Sequence, residues 1–161
     1  GSLRLEPSPG ISPMDDIYNN RILEFAGNIP RAGAMADADA QAQKHSKLCG
    51  SKVKVYIKMD GDQVCDFSHE VRACALGQAS SSIMAHHVVG ASRAEIRKAR
   101  RDMIDMLTAN GEGPEGRFED MRVLKPVKDY KARHASTMLT FEAVCDCLDQ
   151  LEAKQPLSAA S

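Results

Sequence analysis

Across residues 52–59 apolar and polar side chains alternate without a break, with Val53, Val55, Ile57 and Met59 on one face and Lys52, Lys54, Tyr56 and Lys58 on the other. Successive side chains of an extended chain point to opposite faces, so this pattern predicts a strand with one side buried and one side wet. Asp60-Gly61 follows directly. That dipeptide favours a two-residue type I′ turn, which needs positive φ at both central positions. A return strand is therefore predicted over residues 64–73, with Cys65, Phe67, His69, Val71 and Ala73 on one side, and residues 43–48 supply a third strand. A small antiparallel sheet with one apolar face must have that face covered. The expected class is α+β: a three-stranded antiparallel sheet packed against helices, with a long C-terminal helix.

The covering helices are legible from spacing and caps. One runs from Asp15, with acidic residues at its positive end and Ile17, Ile22, Leu23 and Phe25 at helical spacing, and stops at Gly27. Residues 28–43, rich in Gly, Ala and Asp and holding Pro30, form a loop. After Cys74 a helix carries Ala79, Ser80, Ser81, Ser82, Ile83, Met84 and Val88 and stops at Gly90. Ser92 and Glu95 form a capping box for a third helix with the stripe Ile96, Ala99, Met103 and Leu107, closed by Asn110-Gly111. Residues 112–117 are a loop, and a last helix over residues 134–153 buries Leu139, Ala143, Leu148 and Leu151.

Composition narrows the function classes. Lys and Arg number 21 against 22 Asp and Glu, which removes the bulk electrostatic case for nucleic acid as a partner while leaving room for a local basic patch. No apolar run is long enough to span a bilayer. Five cysteines, an odd number, with no apolar secretory segment, indicate free thiols in a reducing, cytoplasmic setting. Residues 1–13, rich in Pro, Ser and Gly ahead of Met14, are expected to be an expression leader or disordered tail, and residues 14–161 a single domain.

Two cysteines stand where chemistry is favoured. Cys49 lies in the turn Leu48-Cys49-Gly50-Ser51, and Cys74 where a strand ends and a helix begins, a position that favours thiolate. Spacing alone equally allows both to be small buried hydrophobes. No CxxC or HExxH is present, so any metal site must be assembled from distant segments. His86-His87 cannot chelate one ion together from a helix. Cys145, Cys147, His69 and Cys65 read as packing residues. No nucleophile elbow, phosphate loop or defensible acid–base pair appears, so no catalytic residue is assigned and the chain is read as a non-enzyme.

Cys49-Gly50-Ser51, the hairpin, and Ala73-Cys74-Ala75-Leu76-Gly77-Gln78-Ala79-Ser80-Ser81-Ser82 together resemble the IscU/NifU/SufU family of iron–sulfur cluster scaffolds, which carry a CGD turn and a cysteine followed by a small-residue run. Asn28-Ile29-Pro30-Arg31 resembles the family's N-P-R segment, and residues 127–133 resemble the Suf-type approach to a third cysteine. The resemblance implies sulfur-accepting Cys74 and Cys49, a cysteine desulfurase as donor, acceptor apo-proteins, and transient iron or a [2Fe–2S] cluster, with zinc in the isolated protein. The implied metal ligands are Cys49, Cys74 and His134, with Ser51 and Ser136 as weaker ones. Ser51 stands where the family has aspartate. The third cysteine falls on Ser136 in a Suf-type alignment, or on Ala135 when His134-Ala135 is matched to the Isc-type His-Cys pair. Leu124-Lys125-Pro126-Val127-Lys128 resembles the segment that Isc-type scaffolds present to an Hsp70-class chaperone. The alternative is a metal-free interaction or regulatory module with the same fold.

Overall fold

The computed structural model describes residues 19–154. The tail over residues 1–13 and the expected helix start at Asp15 lie outside them. Helix α1 (Asn20–Gly27) is capped by the Asn19 side chain, which accepts from the Ile22 N–H at 3.0 Å. Strands β1 (Ala40–His45), β2 (Lys52–Asp60) and β3 (Gln63–Arg72) form one antiparallel sheet in that order. The first strand starts three residues before the expected point, because Ala40 and Ala42 are small enough to pair with Ile57 and Val55 on the covered face.

Two local details depart from expectation. Gly61 has φ +64 while Asp62 does not have positive φ, so the hairpin loop is Gly61-Asp62, with positive φ at its first central position as in a type II′ turn. The pairing then slips: Lys58 faces Asp66, but Met59 faces Val64. Cys65 is the extra residue of this bulge, so it is exposed while Val64 and Phe67 are buried. The expected packing role of Cys65 is thereby corrected.

Helix α2 (Ala75–His87) lies among α1, α4 and the segment after α3, and is buried nearly all round. Its small residues make this possible, since Ala79, Ser80, Ser81 and Ser82 let neighbours approach closely. Helix α3 (Arg93–Thr108) opens on the predicted capping box, with Ser92 and Glu95 exchanging bonds of 3.0 and 2.9 Å, and buries the predicted stripe plus Met106. Residues 112–117 were expected as a loop; from Gly116 to Asp129 the chain winds in successive 3-10 turns. Phe118, Met121, Leu124 and Val127 recur every third residue and are all buried, as three residues per turn requires. Helix α4 (His134–Lys154) crosses β1 and β2 and packs on α2 and α3. Among the described residues no helix is long and apolar enough to cross a membrane.

Candidate thiol site

The site is built where three segments end together. The turn between β1 and β2 is closed by Ser46 N–H on the Ser51 carbonyl at 2.8 Å and by Gly50 N–H on the Ser46 carbonyl at 2.9 Å. Gly50 takes φ +72, a conformation that L side chains rarely adopt. Cys49 is thus held half-buried at the tip, beside a buried Ser51. Cys74 is the N-cap residue of α2, and its thiol caps nothing. Ser136, on the first turn of α4, completes the group.

Hydrogen bonds link these residues in series. The Cys74 N–H donates to Ser51 Oγ at 3.2 Å, which leaves the Ser51 proton free for the Cys49 sulfur 2.9 Å away. The Cys74 thiol donates to Ser136 Oγ at 3.5 Å, and Ser136 in turn donates to the Arg133 carbonyl at 3.1 Å. Burial raises the Cys49 pKa, but Ser51, through its hydroxyl and its backbone N–H, outweighs that with help from the nearby Ser46 and Ser136 hydroxyls, bringing the thiol down to about 7. The Ser46 hydroxyl makes no formed hydrogen bond, so it acts through proximity to the sulfur. At the two cysteines within α4 burial prevails. Burial pushes Cys145 up to about 11 and Cys147 up to about 12, and these two are packing residues as expected.

Gly77 sits against the site for a steric reason. A Cβ there would lie 2.7 Å from Ala73 Cβ and 3.2 Å from the Ser136 carbonyl oxygen, so only glycine lets α2 meet the start of α4 this closely. Sequence reasoning assigned no role to Ser46 or Gly77. For Gly77 the available signal was its place one turn after Cys74; for Ser46 there was none beyond the turn.

Other predicted site residues lie elsewhere. His134 directs Nε2 at the carbonyls of Val127 and Lys128, 3.0 and 3.2 Å away, so Nε2 carries the proton and ties the ring to the end of the 3-10 segment. It also lines a cleft of about 340 Å³ with His45 and Met138. Among the described residues no three His, Cys, Asp or Glu side chains are grouped to hold a metal ion. The donors at the site are two thiols and three neutral hydroxyls, a set that does not fit a resident tetrahedral zinc ion. The expected ligand set of Cys49, Cys74 and His134 is therefore not assembled. Of the two candidate positions for a third cysteine, Ser136 is beside Cys74 and Ala135 is exposed. In the proposed chaperone segment Leu124 and Val127 are wholly buried, which leaves only Lys125, Pro126 and Lys128 at the surface; Lys125 meets Glu112 at 3.3 Å and Lys128 meets Asn110 at 2.8 Å. His69 is a packing residue, as expected: fully buried, donating Nε2–H to the Pro30 carbonyl at 2.9 Å, its pKa lowered by burial.

The family model described as NifU-like N terminal domain matches residues 17–137. The chain belongs to this family. A crystal structure of a nitrogen-fixing NifU-like protein (N-terminal) from Brucella abortus shares 63% identity, covers 89% of this chain and 99% of its own, and superposes with a TM-score of 0.87. The three-stranded sheet, its helices and the long last helix are thus the NifU-like fold. The iron–sulfur cluster assembly scaffold protein IscU of Thermotoga maritima is 25% identical over 136 residues, 84% of this chain and 94% of the relative. The zinc-dependent sulfurtransferase SufU of Bacillus subtilis is 23% identical over 131 residues, 81% and 88% of the two chains.

Proposed function

We propose that this NifU-like chain is an iron–sulfur cluster assembly scaffold that takes up sulfur on Cys49 and Cys74 and holds iron or a cluster there as cargo. The observation that carries the reading is the hydrogen-bonded series from the Cys74 N–H through Ser51 to the Cys49 sulfur, which keeps a half-exposed thiol substantially ionised near neutral pH. Kinship with a protein named as an iron–sulfur cluster assembly scaffold and another named as a sulfurtransferase supports it.

The uptake step follows from thiol chemistry. The Cys49 thiolate attacks the outer sulfur of a persulfide on a cysteine desulfurase. A new S–S bond forms on Cys49, the donor's S–S bond breaks, and the donor cysteine leaves as thiolate. Two thiolates fill two of the four terminal positions that cysteines usually occupy on a [2Fe–2S] cluster. A cargo held by half the usual protein ligands is poised for transfer to an acceptor apo-protein. The test is anaerobic reconstitution with a cysteine desulfurase, free cysteine and ferrous iron, followed by visible absorption. Wild type gains cluster absorption and Cys49→Ser and Cys74→Ser do not; equal assembly by both variants refutes the assignment.

A second reading, a metal-free interaction module of the same fold, is favoured by the lack of a third His, Cys, Asp or Glu beside the two thiols among the described residues. It predicts folded protein that gains neither sulfur nor cluster in the same experiment.

A further inference from the structure

Three segments build the thiol site, residues 46–54, 71–78 and 130–137. Together they carry Lys47, Lys52, Lys54, Arg72, Lys131 and Arg133 and no Asp or Glu, with Glu70 and Asp129 at their borders. Because the whole chain has 21 cations against 22 anions, this is segregation of charge and not a bulk excess. Elsewhere most of the cations of the described residues are matched, among them Lys44 with Asp146, Lys58 with Asp37, Arg97 with Asp149 and Arg100 with Glu142, while Arg101, Arg122, Lys128 and Lys154 are not. Around the thiols they are not. Among the described residues Lys47, Lys52, Arg72, Lys131 and Arg133 take part in none of the ion pairs. Lys54 lies over the Tyr56 ring at 5.2 Å, and Glu70, opposite it in the sheet, is engaged by the Tyr56 hydroxyl at 2.6 Å.

Two further observations give the patch a purpose. Lys52 and Arg72, both exposed, stand directly opposite one another in the β2–β3 register. Like charges in that position destabilise a sheet, so folding alone does not account for them. In the same turn as Cys49, Leu48 is 75% exposed, one of the two large apolar side chains left in solvent among the described residues. A cationic rim around an exposed leucine and two thiols is complementary to an acidic surface that also offers an apolar contact.

We propose that this end of the molecule is a docking surface for an acidic protein segment with interleaved apolar side chains, which lies across Lys52 and Arg72, covers Leu48 and closes over Cys49 and Cys74. The proposal goes beyond the sulfur reading and does not depend on what the thiols carry. A polynucleotide is the less fitting occupant. The nearby rings of Tyr56 and Tyr130 are buried or half-buried and give no stacking platform, and Leu48 has nothing to gain from phosphate.

The experiment is fluorescence anisotropy of the full chain with a labelled peptide of glutamate, serine and leucine. The comparison probes are the same peptide with serine for leucine, and an oligouridylate of equal charge. Lys52→Glu is the decisive variant because it turns the like pair with Arg72 into an opposite pair. It should weaken peptide binding about tenfold while raising the melting temperature, a combination that misfolding cannot produce. Lys154→Glu, at the far end of α4 from Ser136, should leave binding unchanged. Leu48→Ser should weaken the leucine peptide severalfold and leave the serine peptide alone, and added salt should weaken both. The proposal is overturned if wild type binds neither peptide, if Lys52→Glu binds as wild type does, or if oligouridylate binds more tightly than the peptide and is indifferent to Leu48→Ser.

Discussion

Replacing Ser51 by alanine removes the hydroxyl that donates to Cys49 and accepts from the Cys74 N–H. Ser51 leads the groups that lower the Cys49 pKa, so the thiol should move from about 7 back toward its ordinary 9.0. At pH 7 a thiol with pKa about 7 is about half ionised, and one at 9.0 is about 1% ionised, a loss of roughly fifty-fold in thiolate at the limit. The more basic thiolate is also the better nucleophile, by about eightfold over that span with a Brønsted slope of ~0.45. The net expectation at the limit is thiol–disulfide exchange about sixfold slower at pH 7 and about eightfold faster above pH ~9, so the two pH–rate profiles cross. The assay is reaction with a small aromatic disulfide, read at the Cys49 peptide by mass so that exposed Cys65 does not contribute. Leaving the Cys74 N–H without its acceptor costs about 1 kcal/mol of stability, which denaturant unfolding measures. An unchanged Cys49 profile in Ser51→Ala would refute the hydrogen-bond account of this thiol.

Three other expectations follow from the same geometry. A thiol whose folded pKa lies below its unfolded value adds stability that is lost as pH falls through the folded value, so between pH about 7 and 9.0 wild type should gain up to about 2 kcal/mol that Cys49→Ala lacks. Above pH 9.0 the sign reverses, because Cys145 and Cys147, raised to about 11 and about 12, ionise first in the unfolded chain, and urea melts across pH should show the maximum. Ser136→Cys puts a thiolate beside Cys74 and should tighten zinc binding by orders of magnitude in a chelator competition, with little binding in wild type. Leu124→Ala should cost about 2–5 kcal/mol in unfolding experiments, as for a core leucine; a near-neutral result would restore this segment as a presented surface.

The sheet was readable because its signal is strictly periodic: Val53, Val55 and Ile57 are all fully buried. The slip that exposes Cys65 was not, since nothing in the residues around it marks where the pairing of β3 loses step. Phe118, Met121, Leu124 and Val127 carried a repeat of three that matches neither strand nor α-helix, so the 3-10 segment passed unread. The meeting of Cys74 with Ser136, 62 residues apart, was accessible only through family likeness, because no local pattern encodes it. His134 eluded that likeness. Its ring follows two carbonyls freed at the end of the 3-10 turns, a detail of backbone geometry and not of residue type. The basic rim was hidden for a simpler reason, since a net charge of −1 averages away charges that the fold has sorted.

Whether Cys49 and Cys74 bear sulfur is read from the mass of their peptides after the chain is incubated with a cysteine desulfurase and cysteine, without iron. The expected result is a peptide heavier by one sulfur atom at Cys49, or at Cys74 after transfer between them, with the sulfur removed by a reducing agent and absent when both are replaced by serine. Sulfur found only on exposed Cys65, or on neither Cys49 nor Cys74 while the desulfurase itself is loaded, would contradict it.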